Sequence, residues 1–577
     1  MKKLLSVCTV AAILFQSVVF ADEPAEKAAG EMRKGWNFSN ARLIPVQSNG
    51  RIKPLDTYTR EMVLFMTGSR SFQGWSATEF VFSLIGHPRV WTEKEFIQVN
   101  REDVRKQLGL DATRSRFSPG ELLHKSYLSQ YVQTVQDMSK VPANKLPPRD
   151  QELKRVMERV GLFRTIVSGD AWPVIPVKPP EPWMSLSSGD KENAEIRSHF
   201  AKMLLAYRSG DQAQFESSAQ LAREAVQQAY VKWIPDHSTE LKLEDSYNRM
   251  HPFMISWIFY LTAALLWLLM VTGATENKGA LKKMAGWIKG GAYLFTFVGV
   301  LVHVYGFALR CYVAGRPPVS NMYESVIWVS LGVMIFGLIL FFMDKKEKRQ
   351  PILPAVACSV ATLALIAADS APAIMDPSIN PLVPVLKSNY WLTVHVLTIT
   401  LGYAAFALTM GLGNVSLFQY LKKDTGMGSS SDLTARVTAL NQLTYRAMQF
   451  GVVLLAAGTI LGGIWADESW GRFWGWDPKE VWALIALLFY LAVLHARYAG
   501  WFKQFGFAMW SVLSFLGVLM SWYGVNFVLP KGKHSYGFSS GGRGWVAFFV
   551  SLQIAYVLIS AYYRYGGIQG ILKKAKA

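Results

Sequence analysis

Residues 470–480, WGRFWGWDPKE, carry three tryptophans within seven positions, followed at once by two carboxylates. Indole rings are flat and apolar. At this density they suit either stacking against a flat apolar ligand or anchoring a loop at a membrane surface. Asp477 and Glu480 form an acid pair. Exposed, such a pair can exchange protons. The same spacing is that of a capping box, with Asp477 as the N-cap, Pro478 at the first helical position and Glu480 reaching back. Capping accounts for both carboxylates, so no catalytic side chain is assigned. Gly471 and Gly475 loosen the first half, and the stretch reads as a loop that becomes a helix at Pro478. Four histidines bear on it: His395 before it, His534 after it, His495 in the apolar run that follows, and His303 in an earlier run. Each imidazole taken alone is an ordinary hydrogen-bonding side chain; each is also a competent metal ligand.

The stretch resembles the tryptophan-rich signature, roughly WGxxWxWDxxE, of the haem-handling membrane proteins: the CcsA/ResC cytochrome c synthases and the related CcmF and CcmC proteins. Trp470, Gly471, Trp474, Trp476, Asp477 and Glu480 occupy its fixed positions. The resemblance covers about the second half of the chain and is nearest to the CcsA type. It implies that His395, in Trp391-x-x-x-His395-Val396, and His534, in His534-Ser535-Tyr536-Gly537, are axial ligands of a haem at the outer membrane face, with the tryptophans covering the ring. It implies that His495 ligates a second haem within the membrane. Residues 316–325, RPPVSNMYES, resemble the P-x-S-N-x-Y-E-S segment of the same family. Arg310 and Arg316 beside it are candidates to meet haem propionates. His303 is a further buried candidate ligand.

These residues must be positioned by membrane helices. The chain has 577 residues, 51% of them hydrophobic and 18% charged. That is too apolar for one soluble domain. The formal net charge of +19 suggests nucleic acid, but the basic residues fall in short loops between apolar runs, which excludes that class. Spans are expected at about 252–272, 290–311, 323–343, 352–369, 390–420, 446–466, 480–500, 506–529 and 545–563. With the N-terminal part exported, parity puts Lys282, Lys283, Lys345, Lys346, Lys422, Lys423 and Arg436 inside. The same parity puts the tryptophan loop, the start of the fifth span and His534 outside, on one face.

Lys2 and Lys3, the apolar run to Phe20 and the small residue Ala21 read as a secretory signal over residues 1–21. Residues 22–250 then form a mainly helical extracytoplasmic domain, and 251–577 the membrane domain. Arg51 to Thr57, RIKPLDT, follows a turn at Asn49-Gly50 and precedes a helix. It resembles a segment in the soluble parts of some fused cytochrome c synthases. Residues 192–208 and 212–231 read as a helical hairpin, with Asp211 capping its second arm. The three cysteines, Cys8, Cys311 and Cys358, make no C-x-x-C-H, so the chain is not itself a c-type cytochrome.

The expectation is an all-α polytopic bundle of the bacterial inner membrane, acting in cytochrome c maturation. It would handle haem b as a bound substrate and attach it to the C-x-x-C-H of apocytochrome c, with holocytochrome c synthase (haem lyase) activity alone or in complex with a CcsB/ResB-like subunit. A CcmC- or CcmF-like haem delivery protein working with a chaperone is the near alternative. A solute transporter with a tryptophan gate is the alternative of another class.

Overall fold

The computed structural model describes residues 34–567 except 125–134, 136, 139, 142–145, 189–192, 274, 276–278, 344–349, 373, 383–387, 427–432 and 530–541. The expected signal sequence, residues 1–21, and His534, Lys345, Lys346 and the lysines of the C-terminal tail lie outside the described residues. The chain divides into two compact units, residues up to Arg249 with Ser378–Pro381, and Met250–Pro377 with Leu382 onward.

In the first unit, Asn49 and Gly50 both take left-handed backbone, φ 52° and 75°. This is the turn that joins a two-residue hairpin. It links β1 (Pro45–Ser48) to β2 (Arg51–Pro54), paired antiparallel. Helix α1 (Leu55–Thr67) follows directly. Ser76 caps α2 (Ala77–Gly86) in a capping box with Glu79. The remaining long helices are α3 (Pro148–Ser168), α4 (Ala194–Ser209), α5 (Gln212–Tyr230) and α6 (Ser238–Met250). Helices α4 and α5 form the expected hairpin, and the Asp211 side chain accepts from Gln214 N–H at 2.9 Å. The core is aromatic: Phe38, Phe82, Tyr207 and Phe215 meet one another at ring separations between 5.1 and 6.2 Å.

RIKPLDT does more than turn and cap. Its charged residues tie the hairpin and α1 to α6. Arg51 grips Glu244 with both Nη atoms, at 2.6 and 2.8 Å, and Thr57 Oγ1 donates to the same carboxylate at 2.8 Å. Asn248 donates to Thr57 Oγ1 and to Asp56. The wholly buried Lys53 donates to both Glu61 carboxylate oxygens at 2.8 Å. Burial holds the Glu61 carboxyl above its ordinary pKa, against the opposing pull of Lys53. The stability this group contributes is therefore present below the ordinary carboxylate pKa and is lost as pH rises through its raised folded value. Removing one partner of a buried, bidentate pair costs about 3 kcal/mol. Glu244→Leu should destabilise this unit by about that amount, read as accelerated limited proteolysis within residues 34–249 of the full chain. Proteolysis at the wild-type rate would mean that the clamp contributes nothing.

The second unit is an all-α polytopic bundle. Among the described residues nine helices are long and apolar enough to cross a membrane. They are α7 (Pro252–Val271), α8 (Ala285–Ala314), α9 (Met322–Met343), α10 (Ile352–Ser370), α11 (Leu392–Asp424), α12 (Ala435–Trp470), α13 (Pro478–Tyr498), α14 (Gln504–Phe527) and α15 (Arg543–Tyr565). The nine match the nine expected runs. Helix α12 begins about three turns before its apolar run because its polar residues are satisfied by neighbouring helices. Asn441, for example, is buried, donates to the Gln504 carbonyl at 3.0 Å and accepts from Ser416.

Helix α11 is central. It packs on α9, α12, α14 and α15. Small residues allow this. A Cβ on Gly458 of α12 would lie 2.7 Å from the Ile399 Cα, and one on Gly402 would lie 3.0 Å from the Leu455 nitrogen. Close backbone approach over small residues is the usual means of packing helices in lipid. Two turns depart from α geometry. Leu392–Val396, opening α11, and Met520–Gly524, in α14, are π-helical. Such single turns redirect side chains and recur at functional sites.

Candidate haem site

The two π turns flank one cavity of about 150 Å³. His395, Trp465, Trp474, Trp522, Asn321 and Asn526 are among the side chains that line it. The second turn is tied to α11 and to α9. Tyr403 and Ser521 share a hydrogen bond at 3.0 Å, and Trp522 Nε1 donates to Ser325 Oγ at 2.9 Å.

His395 is set by its neighbours on α12. Its Nδ1 lies 2.8 Å from the Gly458 carbonyl oxygen, which can only accept. Nδ1 therefore carries the proton, and Nε2 carries the lone pair that a metal ion uses. Gly462 makes the seat, since a Cβ there would lie 2.6 Å from His395 Cε1. The Trp465 ring stands 5.7 Å away, edge-on. Among the described residues no group of three His, Cys, Asp or Glu side chains could enclose a metal ion. His395 is an oriented imidazole in an aromatic niche, a donor of the kind that serves as an axial ligand to haem iron, whose equatorial ligands come with the macrocycle. The oriented Nε2 donor suits haem iron.

The tryptophan loop is tied down by its own charges. Asp477 and Glu480 form the capping box at the start of α13. Glu480 Oε2 accepts from Gly475 N–H at 2.7 Å and from Asp477 N–H at 3.2 Å. The Arg472 guanidinium lies 5.8 Å from the Trp470 ring centroid and fills the space that a Gly475 Cβ would need. A side chain at 475 would have to displace that guanidinium. Trp474 faces the cavity, whereas Trp476 is 71% exposed and holds a left-handed φ of 56°. The two rings are 6.0 Å apart and perpendicular, 89°. They form a corner rather than the flat platform expected from their spacing, because the positive φ at Trp476 turns its side chain away from that of Trp474.

The other expected residues lie apart from this cavity. Arg310 and Arg316 are both buried and both engage Glu324. Arg310 Nε and Nη2 donate to it at 3.1 and 2.8 Å, and Arg316 Nη1 donates at 3.1 Å. Ser320 N–H and Oγ complete the carboxylate's shell at 2.8 Å. Glu324, from the same P-x-S-N-x-Y-E-S segment, is thus an internal anion that both arginines engage. His303 is wholly buried and uses both ring nitrogens. Nε2–H donates to the Ile327 carbonyl at 3.0 Å, and the Tyr260 hydroxyl donates to Nδ1 at 3.2 Å. His495 lies exposed on α13, with Nδ1–H donating to Leu491 O at 2.7 Å and its lone pair on Nε2.

Residues 319–531, which hold this cavity, match the family described as Cytochrome C assembly protein. The cytochrome c biogenesis protein CcsA of Prochlorococcus marinus is 35% identical over 269 residues, 43% of this chain and 85% of that protein. The chain belongs to the CcsA family. The CcsA of Pyropia yezoensis is 33% identical over 283 residues, 42% of this chain and 87% of that protein. Protein NrfI of Wolinella succinogenes is 31% identical over 530 residues, 89% of this chain. The chain spans about half of NrfI, 55% of its length. The match to NrfI, at 530 residues, extends into the first unit.

Sequence reasoning did not find Trp465, Trp522 or Asn526. Trp522 and Asn526 sit in the Trp522-x-x-x-Asn526 spacing of one helix face, but so do many lipid-facing pairs, and only the π turn brings them to the cavity.

Proposed function

We propose that this CcsA-family chain acts in cytochrome c maturation, holding haem b at the outer membrane face and joining it to apocytochrome c. The observation that carries the reading is the oriented His395 imidazole at an aromatic cavity beside the tryptophan loop. His395 and His534 are the proposed axial ligands at this face, and His495 a ligand of a second haem within the membrane. The distribution of Lys and Arg among the loops supports an outward tryptophan loop and an extracytoplasmic first unit. Each thiol of a C-x-x-C-H segment adds across a vinyl group, so the chain's contribution is to hold and orient the two reactants rather than to supply a nucleophile. Trp474 and Trp476 bound the ring. Replacing both by Ala should lower the haem content of purified protein several-fold while membrane insertion stays normal. Normal haem content with poorer insertion would make them membrane-anchoring residues.

The engagement of both His303 nitrogens favours a fourth ligand from a CcsB/ResB-like partner, because iron would have to displace a hydrogen bond to use His303. Purified alone, the chain should show a haem absorption band that weakens in His495→Ala and is unchanged in His303→Phe. Co-expression with such a partner should raise it. A chain with no haem band in any combination would instead fit a solute transporter. A lone chain that matures cytochrome c and loses that activity in His303→Phe would remove the need for a partner.

A further inference from the structure

The cavity beside His395 has a polar end that the haem reading does not use. Asn526, one turn beyond Trp522 on α14, is 8% exposed and lines the cavity. Its Nδ2 donates to the Trp522 carbonyl oxygen at 2.8 Å. That carbonyl can only accept, so the orientation of the amide is fixed by chemistry. Among the described residues, Oδ1 is left buried without a hydrogen-bond partner. The hydroxyls around the cavity are engaged. Ser521 is paired with Tyr403, Ser325 accepts from Trp522, and Thr400 and Thr459 donate to carbonyls of their own helices.

A buried acceptor left unmet is costly. One that lines a binding cavity implies a donor that arrives with a ligand. Haem does not bring one. Its ionised propionates only accept, and its vinyl and methyl groups carry no N–H or O–H. The other reactant in thioether formation is a polypeptide, and every non-proline residue of it carries a backbone N–H.

We propose that Asn526 Oδ1 accepts a backbone N–H of the acceptor peptide, docking the apocytochrome segment at the α14 side of the cavity, beside the haem that His395 holds. The inference rests on the haem-attachment reading. Asn526 takes no part in the bond changes. The thiol sulfur bonds to one vinyl carbon, the thiol hydrogen ends on the other, and no oxidant is consumed.

The test uses the full chain purified with haem and a fluorescent peptide in which Ser-x-x-Ser-His replaces Cys-x-x-Cys-His, so that binding stays non-covalent. Asn526→Leu should weaken the peptide about tenfold with haem content unchanged. Asn526→Asp, which when protonated both donates to Trp522 O and keeps an acceptor, should bind as wild type. N-methylation of one backbone nitrogen of the peptide should cost wild type the same factor and cost Asn526→Leu nothing further. If Asn526→Leu binds the peptide as wild type does, Oδ1 is met by water and the proposal fails. It fails equally if the variant loses haem and peptide together, since the residue then supports the site as a whole. A wild-type chain that carries no haem defeats the haem reading, while the peptide comparison still decides Asn526.

Discussion

His395→Ala should reduce covalent haem attachment to a co-expressed c-type cytochrome by on the order of 100-fold, with added imidazole restoring part of it. Loss of a group that merely orients a ligand already costs 10- to 100-fold, and here the proposed ligand itself is removed. Rescue follows from the seat. The imidazole lies against Gly462, where there is no side chain, and its Nδ1–H meets the Gly458 carbonyl. The alanine variant keeps both features, so free imidazole can enter and make the same hydrogen bond. Gly462→Val gives the contrasting case. It fills the seat while leaving His395 in the chain, so attachment should fall and imidazole should not restore it. Attachment at the wild-type level in His395→Ala would remove His395 from the site. Rescue of Gly462→Val by imidazole would show that the seat does not set the ring.

The features legible in the sequence were those that depend on local chemistry. Apolar runs gave the nine helices, because in lipid each must satisfy its own backbone. The Asp477–Glu480 spacing gave the capping box, and Asn49-Gly50 gave a turn, although not the two strands it joins. Relations between distant segments were hidden. Nothing in residues 392–396 signals a π turn, yet that turn aims His395 at α12. Arg310 and Arg316 read as candidates to meet haem propionates; that both also engage Glu324 was hidden, because packing brings the carboxylate to them. His303 read as a candidate ligand because a histidine inside a span is costly by default; Tyr260 and the Ile327 carbonyl, which meet that cost, are 43 and 24 residues away. Residue type marked where polarity sits in the membrane unit, and only packing showed what it faces.

The second large effect is expected at Glu324. Its side chain and that of Arg310 have no exposure, and Arg316 has 5%. One carboxylate thus serves two guanidinium groups, a serine hydroxyl and a backbone N–H inside the bundle. Glu324→Leu withdraws the negative charge and leaves all four donors without it. Breaking a buried charge pair from one side costs 3–5 kcal/mol as a general magnitude, and this carboxylate has two charged partners. Glu324→Leu should therefore lower the yield of folded protein and bring its thermal midpoint in detergent down by several degrees. The effect should reach the cavity, because Glu324 also fixes Ser320, and Ser320 to Met322 lie on its wall. Haem content should fall in the folded fraction. The mechanism is tested by pairing the change with Arg310→Leu. If the two residues act as a unit, the double variant will be less destabilised than the sum of the singles. Strict additivity would mean that the carboxylate and Arg310 act independently. A Glu324→Leu protein with the wild-type midpoint and haem content would show that the cluster is dispensable for both fold and site.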